Sequence, residues 1–180
     1  MKKIARPLVL APLAFLGVLT LTAPASAATP YCGLTWGSTA EAGPTAHATG
    51  AELEAVRTGR HACFDRIVLS LRNGSSDLAY TVGYGPVRGV ASGDPVPVAG
   101  GASLRISVLA DGTDLPLGDP RQLAAVDGYR TFRQVVWAGS QEGETVIGLG
   151  TRARLPFRTF LLAGPTRLET RLVVDVAHAW

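Results

Sequence analysis

After about residue 50, the chain alternates short apolar runs with turn-forming residues. Each run is rich in Val, Ile, Leu and aromatic residues and is bounded by Gly, Pro, Asp or Asn, a pattern typical of β-strands. Many short strands at close spacing indicate a sandwich or barrel, and only residues 120–126 suggest a helical turn. The predicted strands cover residues 53–56, 64–71, 79–84, 104–109, 132–137, 145–149, 157–162 and 168–176.

Two of these strands match each other in the character of every position. Arg66–Leu71 reads RIVLSL and Arg171–Val176 reads RLVVDV. Because side chains alternate across a strand, one side of each is purely aliphatic and the other is mixed. The match favours an all-β fold, a two-sheet β-sandwich with pseudo-symmetric halves.

The N-terminal segment has the three parts of a secretory signal. Lys2, Lys3 and Arg6 precede an apolar run, which ends at the small residues Ala25-Ser26-Ala27. This order predicts a signal peptide over residues 1–27, cleaved after Ala27, and therefore a secreted, extracytoplasmic protein. A membrane anchor is the rival interpretation, since the apolar run with its flanks approaches the length of a bilayer span. The cleavage motif favours removal, so we expect no membrane span afterwards.

The predicted cleavage changes the charge of the protein. The formal net charge is +3, and the three cations of the signal segment account for it. Residues 28–180 are formally neutral, so the basic isoelectric point is no indication of nucleic-acid binding. All remaining cations are arginines, whose planar guanidinium groups suit the recognition of carboxylates.

The domain organisation follows from composition. Residues 28–50 are rich in Ala, Thr, Gly, Ser and Pro and predict an extended N-terminal arm, whereas residues 51–180 predict one β-sandwich domain. The chain has two cysteines, and export favours a disulfide between Cys32 and Cys63. On the loop-entropy model this bond contributes about 3 to 4 kcal/mol.

A possible catalytic or metal-binding cluster comes from His61, Cys63 and Asp65. A nucleophilic Cys needs a base, and His with Cys can bind zinc. Both chemistries need further partners, which the sequence does not place nearby. The structural interpretation has Cys63 in a disulfide, His61 facing solvent and Asp65 paired with an Arg.

The sequence does not contain the motifs of other enzyme classes. A G-x-S-x-G nucleophile elbow is absent from the sequence. Close carboxylate pairs such as Glu142 with Glu144 fall in predicted turns, and Gly148-Leu149-Gly150 is too short for a phosphate loop and falls within a predicted strand. We therefore predict a non-enzyme with no cofactor and no metal.

Four blocks of the sequence carry a family resemblance. They are residues 56–71, residues 80–84, Gly148–Gly150 with residues 155–158, and residues 165–178. Together they resemble the AMIN-like domain of exported actinobacterial proteins, with G-R-H-x-x-F-D-R near the start and R-L-V-V-D-V-A-H at the end as the most specific motifs. The resemblance implies a β-sandwich and, by analogy with AMIN domains, a non-catalytic module that contacts peptidoglycan.

The sequence thus predicts a secreted cell-envelope binding domain whose partner is a wall glycan, most plausibly peptidoglycan. The alternative is a protein–protein module that docks an exported envelope protein at a strand edge. The oligomeric state stays open. The residues expected to bind the ligand are Arg60, Arg66, Arg133, Trp137, Arg158 and Arg171.

Overall fold

The structure is a computed structural model and describes residues 31–44, 50–166 and 168–180. The predicted signal peptide and part of the predicted arm lie outside the described residues. Among the described residues, no helix has the length and apolar character needed to cross a bilayer.

All eight predicted strands are present, together with one short strand that the sequence pattern did not predict. The possible helical turn at residues 120–126 was wrong: this segment forms turns, and the backbone of Pro120 and Leu123 hydrogen-bonds to β6. A 3-10 turn occupies Tyr31–Gly33. The strands are β1 (Glu41–Ala42), β2 (Glu52–Arg60), β3 (Phe64–Arg72), β4 (Tyr80–Tyr84), β5 (Ala102–Val108), β6 (Phe132–Gln141), β7 (Glu144–Thr151), β8 (Phe157–Ala163) and β9 (Glu169–Ala177).

The strands form two antiparallel sheets that pack as a sandwich, which confirms the predicted fold class. One sheet has the order β2-β3-β9-β8 and the other the order β1-β4-β5-β7-β6. The aliphatic sides of the strands meet between the sheets, where residues such as Ile67, Leu104 and Val174 have no exposed surface. Burial of this apolar surface is the main stabilising contribution to the fold.

The two matching strands, β3 and β9, are neighbours at the centre of the four-stranded sheet. They run antiparallel, and Arg66 pairs with Asp175 while Ser70 pairs with Arg171. Val68 pairs with Val173, which is also its counterpart in the sequence match. The match is therefore a local two-fold relation between two strands, centred on this valine pair.

The outward side of the five-stranded sheet is covered by residues 85–101. Val90, Val96 and Val98 of this segment pack on a small apolar cluster of Val87, Ala138 and Val146. Gly150 allows the segment to lie directly against β7, because a Cβ atom at this position would lie 1.9 Å from the carbonyl oxygen of Ala99.

Residues 31–44 connect the two sheets at one side of the sandwich. Gly37 forms two backbone hydrogen bonds with Phe157 of β8, and β1 pairs with β4 of the other sheet. The carboxylate of Glu41 accepts hydrogen bonds from the backbone N–H and the hydroxyl of Thr159, at 2.7 and 2.6 Å. The segment thus shields the edges of β8 and β4.

Candidate functional site

The outward side of the four-stranded sheet carries the polar halves of its strands. Directly paired residues of antiparallel strands project to the same side. Arg66 of β3, Asp175 of β9 and Arg158 of β8 form one row across the sheet, because Asp175 pairs with both arginines. The register thus places one cation on each side of the Asp175 carboxylate.

Asp175 binds both arginines. Arg66 donates from Nε to Oδ1 at 2.6 Å and from Nη2 to Oδ2 at 2.9 Å, and Arg158 donates from Nε and Nη2 to Oδ2 at 3.0 and 2.8 Å. The Asp175 side chain is 0% exposed, whereas the two arginine side chains are 25% and 28% exposed. The hydrogen bond to Asp175 raises the pKa of Arg66 above its usual value. The site is a buried anion that orients two accessible cations.

Aromatic rings surround these guanidinium groups. The Cζ atom of Arg66 lies 5.2 Å from the ring centroid of Phe64 and 5.5 Å from that of Phe160. Arg158 lies 5.3 Å from Trp36, 5.6 Å from Phe64 and 5.2 Å from Phe160. These distances are within the range of cation–π attraction. We call this site the arginine–aromatic face; its residues are Trp36, Phe64, Arg66, Arg158, Phe160 and Asp175.

Two further arginines extend the positive charge along the same side of the sheet. Arg57 of β2 pairs with Val68, and Arg171 of β9 pairs with Ser70. Arg57 is exposed and donates a hydrogen bond to the Ser70 hydroxyl at 3.2 Å. In the rows from Arg66 to Ser70, four arginines thus accompany one buried carboxylate, and this part of the surface attracts anions. The next row is different, because Arg72 lies there between Glu52 and Glu169.

Three of the six predicted binding residues lie on this side of the sheet, and the structure brings Arg66 and Arg158 into direct contact with a shared partner. Arg171 lies farther along the same side of β9, whereas the other three predicted residues lie elsewhere.

Arg60, Arg133 and Trp137 have local partners of their own. The guanidinium of Arg60 lies 5.9 Å from the ring centroid of Tyr129. Arg133 donates hydrogen bonds to backbone carbonyls, including that of Phe132 at 2.8 Å. Trp137 is half-buried against the main core. These contacts give each of the three a structural role.

The cluster of His61, Cys63 and Asp65 does not form a shared site. Cys63 is bonded to Cys32, as predicted, and His61 is exposed and stacks on Phe64 at 4.4 Å. The expectation that Asp65 pairs with an Arg was wrong. Asp65 projects into the sandwich, because its neighbour Arg66 projects outward, and it is completely buried.

Asp65 instead connects the two sheets. Its Oδ2 atom accepts hydrogen bonds from the backbone N–H groups of Thr131 and Phe132 at the start of β6, at 2.6 and 3.3 Å. Its Oδ1 atom lies 4.0 Å from Nε2 of His178. His178 is buried as well, with Nδ1 2.9 Å from the Thr131 hydroxyl and Nε2 3.0 Å from the His61 carbonyl. These groups join strand ends inside the fold.

The sequence prediction does not include five candidate binding residues, which are Trp36, Arg57, Phe64, Phe160 and Asp175. The alternation of side chains assigns Phe64 and Asp175 to the outward sides of their strands, and this signal was available in the sequence. Phe160 stands two residues after Arg158 in β8, so the same alternation places both on one side. Trp36 is different, since only the path of residues 31–44 brings it beside Arg158.

A cleft of about 620 Å³ lies at one end of the sandwich, beside Glu52, Asp111 and Asp114. Its character is acidic, and Arg72 pairs there with Glu52 and Glu54. The backbone N–H of Thr113 donates to Asp111 at 2.9 Å and lowers the pKa of that carboxyl. In the part of the chain that the structure describes, no group of three or more His, Cys, Asp or Glu side chains is arranged to hold a metal ion.

The fold is a β-sandwich, and its arginine–aromatic face presents two oriented, partly accessible cations. These are features of a binding module. Residues 51–178 match the AMIN-like domain, and the chain belongs to this family. Membership indicates a cell-wall-related binding module, and AMIN-like domains are generally non-catalytic. The family and the disulfide are consistent with an extracytoplasmic protein. Comparisons with curated proteins and with solved structures gave no match.

Proposed function

We propose that the protein is a secreted, non-catalytic module that binds the cell envelope through its arginine–aromatic face, with peptidoglycan as the ligand. The observation that carries the proposal is the pair of accessible guanidinium groups oriented by the buried Asp175. A preoriented guanidinium loses less side-chain entropy when it binds an anion. The family membership supports the same class of ligand.

The chemistry of the face matches that of a wall polymer. Asp175 engages Nε and Nη2 of Arg66 and Arg158, and among the described residues the Nη1 atom of each has no hydrogen-bond partner. These atoms are free to donate to the carboxylates of wall peptides. The neighbouring aromatic rings offer surfaces on which the apolar faces of sugar rings can stack. Arg57 and Arg171 add attraction over a longer stretch of an anionic polymer.

The test is co-sedimentation of residues 28–180, with the disulfide intact, with purified insoluble peptidoglycan at moderate salt. The double variant Arg57→Ala/Arg171→Ala removes two cations from this side of the sheet and leaves the contacts of Asp175 in place. We expect its affinity to fall about fivefold, as for the loss of two exposed charge contacts.

The matched control is Arg121→Ala/Arg130→Ala, which makes the same change in net charge at exposed positions elsewhere. It should bind like the wild type. If the wild type does not sediment above an unrelated protein, peptidoglycan binding is wrong. Equal losses in the two double variants would show that net charge sets the affinity, and would contradict binding on the side of the sheet that carries the arginine–aromatic face.

A second candidate function is docking of an exported protein at the edge of β2. Residues 31–44 shield β8 and β4, and Pro120 and Leu123 bond to β6. Among the described residues, the backbone of β2 from Glu54 to Arg60 hydrogen-bonds only to β3. An edge of this kind can accept a strand from a partner. Cross-linking in the envelope distinguishes the two functions, because a discrete protein adduct that survives wall digestion favours docking.

A further inference from the structure

The arginine–aromatic face is assembled from two separate parts of the chain. Five of its residues belong to β3, β8 and β9, whereas Trp36 comes from the segment before β1. The Trp36 ring lies 5.8 Å from the Phe64 ring, and the guanidinium of Arg158 lies 5.3 Å from the Trp36 centroid. Trp36 therefore forms one wall of the face, and its position depends on how this segment is attached.

The attachment differs on the two sides of Trp36. On its C-terminal side, the Gly37 N–H donates a hydrogen bond to the Phe157 carbonyl at 3.2 Å, and the Gly37 carbonyl accepts one from the Phe157 N–H at 2.7 Å. On its N-terminal side, the Cys32–Cys63 disulfide joins the segment to the turn between β2 and β3. The indole Nε1 atom donates to the Tyr31 carbonyl at 2.9 Å, so the indole also contacts the part of the segment that the disulfide positions.

The disulfide lies at the surface. Cys32 is exposed and Cys63 is half-buried, so a small thiol can reach the bond. The backbone of Cys63 is independently anchored, since its carbonyl accepts a hydrogen bond from the N–H of His178 at 2.9 Å. Reduction is therefore expected to release the segment that carries Tyr31 and Cys32, while the turn around Cys63 keeps its position.

We propose that the Cys32–Cys63 disulfide positions Trp36 on the arginine–aromatic face, so that reduction of this bond weakens ligand binding. The inference rests on the proposed function and adds a redox dependence to it. A dithiol attacks one sulfur and forms a mixed disulfide. Its second thiol then closes an intramolecular disulfide, which leaves two protein thiols and an oxidised dithiol. Arg158 keeps its hydrogen bonds to Asp175 and its contacts with Phe64 and Phe160, and it loses its contact with the Trp36 ring.

The first measurement follows Trp36 without any ligand. Residues 28–180 are labelled with 5-fluorotryptophan, and the fluorine signals of Trp36, Trp137 and Trp180 are assigned by single Trp→Phe variants. Addition of dithiothreitol should shift and narrow the Trp36 signal and leave that of Trp137 in place, and reoxidation should restore the first spectrum. A Trp36 signal that does not respond to reduction overturns the inference.

The second measurement is affinity for insoluble peptidoglycan in the oxidised and reduced states. We expect reduction, and separately the Cys32→Ser/Cys63→Ser variant, to weaken binding about two- to fivefold, the effect of losing one exposed cation–π contact. Trp36→Ala should bind as weakly as the reduced wild type and should not respond to dithiothreitol. Trp180→Ala, at an exposed position, is the matched control and should keep the redox response.

The two hypotheses fail in different ways. If the oxidised protein does not bind peptidoglycan, the proposed function is wrong, and the fluorine spectra still decide whether the disulfide positions Trp36. If the oxidised protein binds and reduction leaves its affinity unchanged, the redox inference is wrong and the proposed function stands.

Discussion

The two outward sides of the sandwich are packed differently. The five-stranded sheet carries small residues there, such as Gly148 and Gly150, and residues 85–101 pack directly on them. The four-stranded sheet carries arginines and aromatic rings instead, and its central carboxylate, Asp175, is buried by its own neighbours. One side is covered in part by backbone and valines, with the exposed Arg105–Glu144 pair beyond them. The other side keeps its central row of charged groups partly accessible.

The difference shows where a ligand can bind. On the covered side, residues 85–101 pack on the sheet and leave a cleft of about 610 Å³ at their margin, beside Val98, Gln134 and Val136. Mutations directly beneath this segment are expected to change stability. On the open side, the polar atoms are oriented by contacts within the sheet and keep part of their surface accessible. An open face built around an oriented ion pair is the more suitable surface for recognition.

The largest expected effect comes from Asp175→Asn. The substitution leaves two partly buried guanidinium groups without a counter-charge, and we expect the free energy of unfolding to fall by about 2 to 4 kcal/mol. The control is Glu144→Gln, because Glu144 pairs with Arg105 at 3.1 Å on the other sheet, where both side chains are well exposed. Glu144→Gln should lower the free energy of unfolding by less than about 1 kcal/mol. Denaturant titration measures both, and equal losses would contradict the distinction between the two sides.

The next effect tests the covered side. Gly150→Ala would place a Cβ atom against the backbone of Ala99, and the loop must move to relieve the clash. We expect a loss of about 1 to 3 kcal/mol in the free energy of unfolding, with unchanged affinity for peptidoglycan. Gly118→Ala is the matched control, since a Cβ atom there has no neighbour within 4 Å. A tolerated Gly150→Ala would show that the loop is not packed as described.

A smaller difference in the free energy of unfolding is expected between two Val→Ala substitutions, one on each outward side. Val146 is completely buried beneath residues 85–101, whereas Val68 is half-buried at the centre of the open side. Val146→Ala should lower the free energy of unfolding by about 1.5 to 2.5 kcal/mol, and Val68→Ala by less than about 1 kcal/mol. Thermal and denaturant unfolding of the two variants provide the comparison. The reverse order would mean that the open side is the better packed one.

The smallest effect is a pH dependence outside both sides, at the acidic end of the sandwich. The pKa of Asp111 is lowered in the folded state by the hydrogen bond from Thr113, so the unfolded state binds its proton at higher pH. The contribution to stability is present above the unfolded pKa of about 3.9 and is lost as pH falls through the lower folded value. Asp111→Asn should therefore be less stable than the wild type at pH 6, and the difference should shrink toward pH 2. A difference that does not change with pH would contradict this origin.

Much of the fold was predictable because strand patterns are local. The alternation in β3 assigned Ile67 and Leu69 to the core and Arg66 to the opposite side, as the structure shows. The same rule, applied one residue earlier, places Asp65 inside the sandwich, which is why the expected pairing of Asp65 with an Arg was wrong. Glu41–Ala42 was missed, since a two-residue strand leaves no periodic pattern.

The candidate site was predictable only in part. Arg66 and Arg158 are predicted from the sequence as arginines that suit the carboxylates of the wall, and the structure joins them through Asp175. Arg60, Arg133 and Trp137 were selected on the same grounds of residue type, yet they make contacts elsewhere. Residue type alone does not distinguish an arginine on an open face from one that bonds to backbone carbonyls at a strand end.

By itself, the sequence determined the all-β class, the inward and outward sides of β3 and β9, the disulfide between its two cysteines and the family. All of these depend on short-range alternation, on residue counts or on local motifs. Only the tertiary structure decided which strands are neighbours, and therefore that Arg66 meets Asp175 across a separation of 109 residues and that Trp36 lies beside Arg158. The physical reason is that strand order depends on the packing of the whole chain, which short-range patterns do not encode.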